Sequence, residues 1–202
     1  MSKVKEIVGK LLKKDEQVNL MELDPSLHRV MIGLGWDVPD MDHGYEVDLD
    51  ASAFLLGRNE SVRRDTDFIF YNNLETDNGV IKHLGDNTTG YGQGDDEEIE
   101  INLDELSYDI EKITFAVTIH NAEERSQAFG VVTNAFIRVV DADTKEELVR
   151  YNLTEEAADS TGFIFGEIDR DGGQWKFKAI GKGVPGGLYR IAHDYKVNVA
   201  MS

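Results

Sequence analysis

The sequence predicts an all-β protein, a two-sheet β-sandwich of about ten strands with short peripheral helices. Short runs rich in β-branched and aromatic residues alternate with Gly, Asn and Asp breaks from Val30 onward. Only three prolines interrupt the 202 residues, so long strands can stay paired. A hydrophobic content of 41% is enough for the core of one ordinary globular domain.

The predicted strands follow one another at the short intervals that are typical of all-β domains. In chain order they are VMIGLGW, VDLDASAFLL, DFIFYNN, VIKHL, EIEINL, KITFAVTIH, VVTNAFIRVV, ELVRYNL, GFIFGEI and QWKFKAI. The second run alternates clearly, because Leu49, Ala51, Ala53 and Leu55 share one face of the strand. That face is expected to enter the core.

The two ends of the chain are predicted to carry helices. Residues 1–17 are predicted to form an amphipathic helical extension, and residues 18–202 form the sandwich domain. The helical face, flanked by lysines, consists of Val4, Ile7, Val8, Leu11 and Leu12. This helix would dock on the chain's own acidic surface or contact a partner protein or a membrane. A short closing helix is indicated by Leu188, Ile191, Ala192 and Tyr195.

The charge balance argues against nucleic acid and anionic membranes as partners. The chain has 39 acidic and 21 basic residues, a formal net charge of -18 that repels phosphate groups. The absence of cysteine excludes disulfides, thiolate metal sites and cysteine nucleophiles. The sequence contains no apolar run that fits a signal peptide or a membrane span. We therefore expect a soluble, cytoplasmic protein.

Acidic residues concentrate in three segments that contain no Lys or Arg, residues 37–57, 65–81 and 86–104. Two carboxylates about 5 Å apart repel by roughly 3 kcal/mol at an effective dielectric near 20. A folded cluster therefore needs protonation, dispersal into solvent or a cation. Asp48 and Asp50 would point the same way from their strand, as would Asp65 and Asp67. These pairs favour a bound cation over a merely solvated acidic face.

The segment from Gly85 to Glu97 is the centre of the predicted site. Its sequence, GDNTTGYGQGDDE, combines carboxylates, an amide and hydroxyls with glycines that let backbone carbonyls turn inward. Calcium takes six to eight oxygen ligands in flexible geometry, so it is the first choice and magnesium the second. Zinc is disfavoured, because thiolates are absent and the five histidines show no close ligand spacing. His83 near this segment is expected to be a surface residue, and the alternative is a histidine that supports the metal ligands.

Six strings of the sequence together resemble the TerD family of bacterial tellurium-resistance and stress proteins. They are GLGWD, DLDASAFLL, DFIFYNN, GDNTTGYGQGDDE, FGVVTNAFIRVVD and GQWKFKAIGKG, in the order of the family and from about Val18 to the C-terminal region. The resemblance implies a cytoplasmic, non-enzymatic β-sandwich that binds calcium and works with other Ter-system proteins in tellurite resistance or the general stress response. The first 17 residues depart from the Ser-rich, strand-forming start of the family.

The resemblance also implies a set of metal ligands, and we expect the acidic segments to share two calcium ions. Carried over string by string, the ligands are Asp37, Asp48, Asp50, Asp67, Asp86, Asn87, Asp95, Asp96 and Glu97. Two other functions stay open at this point. The same acids could hold catalytic ions in a metal-dependent phosphoesterase or nuclease. The chain could also be a passive stress chaperone or assembly subunit, as its amphipathic N-terminus suggests.

Overall fold

The structure is a computed structural model that describes residues 9–37, 47–85, 94–153 and 158–198. Within these ranges the strands are β1 Lys10–Leu12, β2 Gln17–Asn19, β3 Arg29–Asp37, β4 Leu49–Leu56, β5 Phe68–Ile69, β6 Ile81–His83, β7 Glu97–Asn102, β8 Lys112–Ile119, β9 Thr133–Asp141, β10 Glu147–Asn152, β11 Gly162–Asp171 and β12 Gln174–Val184. The α-helices are α1 Leu20–Leu23, α2 Ala122–Arg125 and α3 Gly187–Asp194, and 3-10 helices lie at Asp65–Asp67 and Phe129–Val131.

The strands form two six-stranded sheets that enclose one main core. The first sheet has the order β1-β10-β9-β3-β7-β6, and the second has the order β2-β12-β11-β8-β4-β5. Neighbouring strands are antiparallel except β1 and β10, which are parallel. The predicted two-sheet β-sandwich is confirmed, and each of the ten predicted runs contains a strand. The other two strands, β1 and β2, come from the N-terminal region.

The structure differs from the predicted N-terminal helix wherever it describes that segment. Lys10–Leu12 form β1, which pairs with β10, and β2 begins at Gln17 and pairs with β12. Leu12 is buried at 3% exposure whereas Leu11 is 59% exposed, so adjacent side chains of β1 lie in different environments. Over so few residues the apolar spacing fits a helix or a strand, and pairing with β10 decides. Residues 1–8 of the predicted extension lie outside the described residues.

The core between the sheets is built by alternation along the strands. Leu49, Ala51, Ala53 and Leu55 are at most 1% exposed and belong to the main apolar cluster, as predicted. In β7 the residues at alternate positions are buried in the same way. This rigid core fixes where the ends of β3, β4 and β7 emerge, and those ends carry most of the predicted ligands.

The outer face of the second sheet is covered. The predicted closing helix is confirmed as α3, whose Ile191 and Ala192 pack with Phe54 and Phe68 in a second apolar cluster. The rings of Phe54 and Phe68 stack with centroids 4.5 Å apart, and the ring of Phe70 continues the stack at 4.2 Å. Stacked rings add to the burial of their surface. No helix among the described residues is long and apolar enough to cross a membrane.

Candidate metal centre

Six predicted ligands lie at one end of the sandwich, which we call the acidic end. They are Asp37, Asp48, Asp50, Asp95, Asp96 and Glu97. The end of β3 meets the start of β7 there, because Leu34 pairs with Glu97. The start of β4 lies at the same end, since the His83 ring that contacts Glu97 also contacts the backbone of Ala51. Asp86 and Asn87 lie outside the described residues.

Asp37 and Asp96 form the most open part of the acidic end. The Asn134 side-chain amide donates a hydrogen bond to Asp37 Oδ2 at 2.6 Å. The backbone N–H of Trp36 donates to Asp96 Oδ2 at 2.8 Å. Burial raises the pKa of Asp96, the Trp36 N–H opposes this, and repulsion from Asp37 and Asp95 adds to the rise. The charged form of Asp96 is therefore disfavoured unless a cation is close.

Asp95 is already neutralised by the protein. Its side chain is fully buried, and Arg138 Nε and Nη2 donate to both carboxylate oxygens at 2.7 to 3.0 Å. Such a two-point guanidinium–carboxylate contact is the strongest type of ion pair in proteins. Asp95 is thus brought to the acidic end, but both of its oxygens are used by Arg138.

Glu97 faces the interior between the two sheets. Its Oε2 lies 2.8 Å from His83 Nε2, and both side chains are 1% exposed. His83 Nε2 also lies 3.3 Å from the Ala51 carbonyl oxygen, across the sandwich. His83 is thus a buried partner of Glu97, and the expectation of a surface histidine was wrong. The sequence signal was present, since His83 ends a run whose apolar residues alternate.

Asp48 and Asp50 lie on the second sheet, where β4 begins. Asp50 is 7% exposed, and its Oδ2 lies 3.2 Å from His120 Nδ1. The backbone carbonyl of Asp48 accepts a hydrogen bond from the His120 N–H at 2.8 Å. Asp50 borders a cavity of about 700 Å³ between the sheet and the start of α3. Burial and the nearby Asp50 charge raise the pKa of Tyr71 in the wall of this cavity.

Asp67 does not join the other predicted ligands. It lies near Leu55, toward the end of β4 that is opposite to Asp48. Leu55 is five residues from Asp50 along β4, which corresponds to about 17 Å. Arg63 donates to both oxygens of Asp67 at 2.7 and 3.0 Å, and Arg64 Nε donates to Oδ1 at 3.3 Å. The fully buried Asp67 carboxylate is therefore used in an ion-pair cluster, which we call the arginine end.

The donor set at the acidic end fits a hard cation better than a soft one. Carboxylates of Asp37 and Asp96 lie beside the Asn134 amide and the Thr133 hydroxyl, which donates to the Asp37 carbonyl at 3.3 Å. These are oxygen donors of the kind that calcium prefers. Within the described ranges, no three His, Asp or Glu side chains form a group that could hold a metal ion.

Comparison with known proteins gives the family of the chain. The TerD domain profile matches residues 9–195. General stress protein 16U of Bacillus subtilis (strain 168) is 50% identical over 188 residues, which are 93% of this chain and 97% of that protein. Tellurium resistance protein TerD of Serratia marcescens is 49% identical over 189 residues, which are 94% of this chain and 98% of that protein.

A solved structure shares the fold. The crystal structure of a homologue of telluride resistance protein (TerD) from Streptomyces coelicolor A3(2) matches with a TM-score of 0.65 at 24% identity. The match covers 83% of this chain and 96% of that one. This likeness supports the sandwich architecture, and the sequence comparisons carry the assignment. The chain belongs to the TerD family.

Proposed function

We propose that this protein is a calcium-binding, non-enzymatic component of a bacterial tellurite-resistance or general stress-response system. It would act in the cytoplasm, by calcium-dependent binding or assembly with other Ter-system proteins. The observation that carries the proposal is the electrostatics of the acidic end, where burial and the nearby charges of Asp37 and Asp95 raise the pKa of Asp96. The names of relatives that are 49% and 50% identical support the stress and tellurium-resistance context.

The calcium ligands that we propose lie at the acidic end, where the Asn134 amide donates to Asp37 and the Trp36 N–H donates to Asp96. Asp37 and Asp96 would bind one ion, and Asp48 and Asp50 would contribute to a second. Glu97, which contacts His83, would support the first group from the interior. Calcium needs six to eight oxygens, so Asp86 and Asn87 in the Gly-rich segment are proposed to complete the shells. Asp67 is left out of this set because Arg63 and Arg64 bind it.

Calorimetry on chelator-stripped protein tests this proposal. We expect the heats of titration to fit two calcium ions bound per protein molecule, and we expect magnesium to bind more weakly. Ligand at about 1,000 times its dissociation constant adds roughly 4 kcal/mol to the free energy of unfolding, so calcium should raise the melting temperature clearly. Identical melting curves in EDTA and in calcium would end the calcium proposal.

A metal-dependent phosphoesterase or nuclease is a second candidate, and one observation favours it. The cavity beside Asp50 also contains His120 and Arg190, a possible base and a cationic group for a phosphate. Hydrolysis of a generic phosphoester panel with magnesium or manganese measures this activity. Turnover that disappears in a His120→Gln variant would favour the enzyme over the binding module, and no turnover would count against it.

A further inference from the structure

The Asp95 carboxylate lies in a notch on the outer face of the first sheet. Gly33 of β3 forms the floor of this notch, because a Cβ at that position would overlap the Asp95 carboxylate. The core-facing neighbours Ile32 and Leu34 are fully buried, so Gly33 points away from the core. A carboxylate from the segment before β7 can therefore lie flat over β3 without meeting a side chain.

Arg138 closes the notch from the neighbouring strand. In the register of the sheet, Gly33 pairs with Arg138 of β9. Three hydrogen bonds of 2.7 to 3.0 Å join the guanidinium to Asp95. The remaining nitrogen, Nη1, donates to Glu147 Oε2 at 3.1 Å, and Glu147 Oε1 lies 3.3 Å from Arg150 Nε. The guanidinium is thus held at both ends, and its position over β3 is well defined.

The anchored carboxylate sets the position of the next residue. Asp96 follows Asp95 directly, and its N–H donates to the Leu34 carbonyl at 2.8 Å. The Trp36 N–H donates to Asp96 Oδ2 at 2.8 Å. Residues 95 and 96 are therefore held at two successive points, Asp95 by its ion pair with Arg138 of β9 and Asp96 by hydrogen bonds with the backbone of β3. This arrangement holds the Asp96 carboxylate beside Trp36, the neighbour of Asp37 in β3.

We propose that Arg138 is a positioning residue for the candidate calcium site and that Asp95 acts through Arg138 and is not itself a calcium ligand. This inference rests on the proposed calcium function. The Arg138–Asp95 pair pins the chain where the Gly-rich segment ends and removes one carboxylate charge from the group. Asp96 and Asp37 are left as the carboxylates that meet the ion. Partners that orient metal ligands typically change metal affinity 10-fold to 100-fold when they are removed.

A double-mutant cycle measured by calorimetry tests the proposal. Arg138→Gln, Asp95→Asn and the double variant should each weaken calcium binding by about 10-fold to 100-fold, and by the same factor. Equal losses mean that the two residues act as one unit. If Asp95→Asn weakens calcium binding further in the Arg138→Gln background, Asp95 is a direct ligand and the proposal is overturned.

Two further variants separate positioning from general damage. Arg138→Lys keeps the charge but cannot make the two-point contact, so its calcium affinity should lie between those of wild type and Arg138→Gln. Glu147→Gln removes the other ion pair of Arg138 and leaves the contact with Asp95 in place, so its affinity should match wild type. An Arg138→Gln affinity equal to wild type, or a loss for Glu147→Gln as large as that for Arg138→Gln, would contradict the proposal.

Amide hydrogen exchange in EDTA gives a readout that does not depend on calcium. Arg138→Gln should speed the exchange of the Trp36 and Asp96 amides, while the β12 amides keep their wild-type rates. Unchanged exchange at Trp36 and Asp96 would show that Arg138 does not anchor this segment. If wild type binds no calcium, the proposed function fails together with the calcium part of this inference, and the exchange rates still decide whether the anchor exists.

Discussion

The acidic end and the arginine end of the sandwich both bring carboxylates to the ends of β4, but the protein treats them differently. At the arginine end, Asp67 is fully buried between Arg63 and Arg64. At the acidic end, Arg138 binds Asp95, but the donors to Asp37 and Asp96 are neutral, an amide and a backbone N–H. An acid-rich sequence therefore does not by itself define a metal site. A carboxylate bound by a guanidinium has a structural role, whereas a carboxylate with neutral donors has no countercharge from those donors, and a cation would stabilise its charged form.

The largest expected effect comes from breaking the arginine end. Asp67→Asn keeps the shape of the side chain but leaves Arg63 and Arg64 without their buried partner. Removing one member of a buried ion pair costs about 3–5 kcal/mol, and urea unfolding should show a loss of this size. The calcium affinity of this variant should stay within about twofold of the wild-type affinity, because distant sites act independently. A calcium affinity that falls more than tenfold would return Asp67 to the metal site that the sequence predicted.

The second effect tests the acidic end itself. Asp96→Asn should weaken calcium binding by about 100-fold, equivalent to about 2.7 kcal/mol. The same variant in EDTA should be as stable as wild type or more stable, because burial and repulsion already disfavour the Asp96 charge. Calorimetry and urea unfolding measure the two quantities. The matched control is Asp104→Asn, which removes an exposed acid that pairs with His28 and should leave both quantities unchanged.

Asp141, the last residue of β9, gives a third case, because its carboxylate accepts hydrogen bonds from the turn that follows the strand. Burial opposes ionisation, but hydrogen bonds from the Thr144 hydroxyl and from the Asp143 and Thr144 N–H groups lower the pKa of Asp141. A lowered pKa stabilises the folded state above the unfolded value of about 3.9, and this stability is lost as pH falls through the folded pKa. Asp141→Asn should cost about 1–2 kcal/mol at pH 7. The difference in the free energy of unfolding between the variant and wild type should disappear below about pH 4. A difference that does not depend on pH would contradict this prediction.

The smallest effect is expected at the exposed rim of the arginine end. Asp77 pairs with Arg64 at 3.2 Å, but its side chain is 65% exposed. Exposed ion pairs contribute little, so Asp77→Asn should change the free energy of unfolding by less than about 0.5 kcal/mol. A loss above 1 kcal/mol would mean that the whole cluster acts as one unit and that burial of Asp67 alone does not explain the arginine end.

The N-terminus shows where local pattern could not predict the structure. Leu11 and Leu12 are compatible with a helical face and with strand alternation, since three residues do not separate the two periods. Lys10–Leu12 form a strand because they pair with β10, whose residues lie far along the chain. In β4, by contrast, eight residues alternate, and the prediction of the buried face was confirmed.

Two predicted ligands show how the partners of a carboxylate can be missed. The segment 65–81 contains no basic residue, yet Arg63 and Arg64 precede it directly and bind Asp67. Arg138 is far from Asp95 in sequence and reaches it only because β9 pairs with β3. The spacing of acids along the chain describes where charge is placed. This spacing does not show whether an arginine on another strand forms an ion pair with one of the acids.

The sandwich class, the buried face of β4, the closing helix and the concentration of acids near the ends of three strands could all be predicted from the amino-acid sequence. These properties depend on period and composition, which are local. The sequence did not predict that Asp67 and Asp95 bind arginine, that His83 is buried against Glu97, or that Asp37 raises the pKa of Asp96, because these depend on how the strands pack. The reason is that electrostatic energy depends on distances in space, and strand pairing sets those distances between residues that are far apart in the chain.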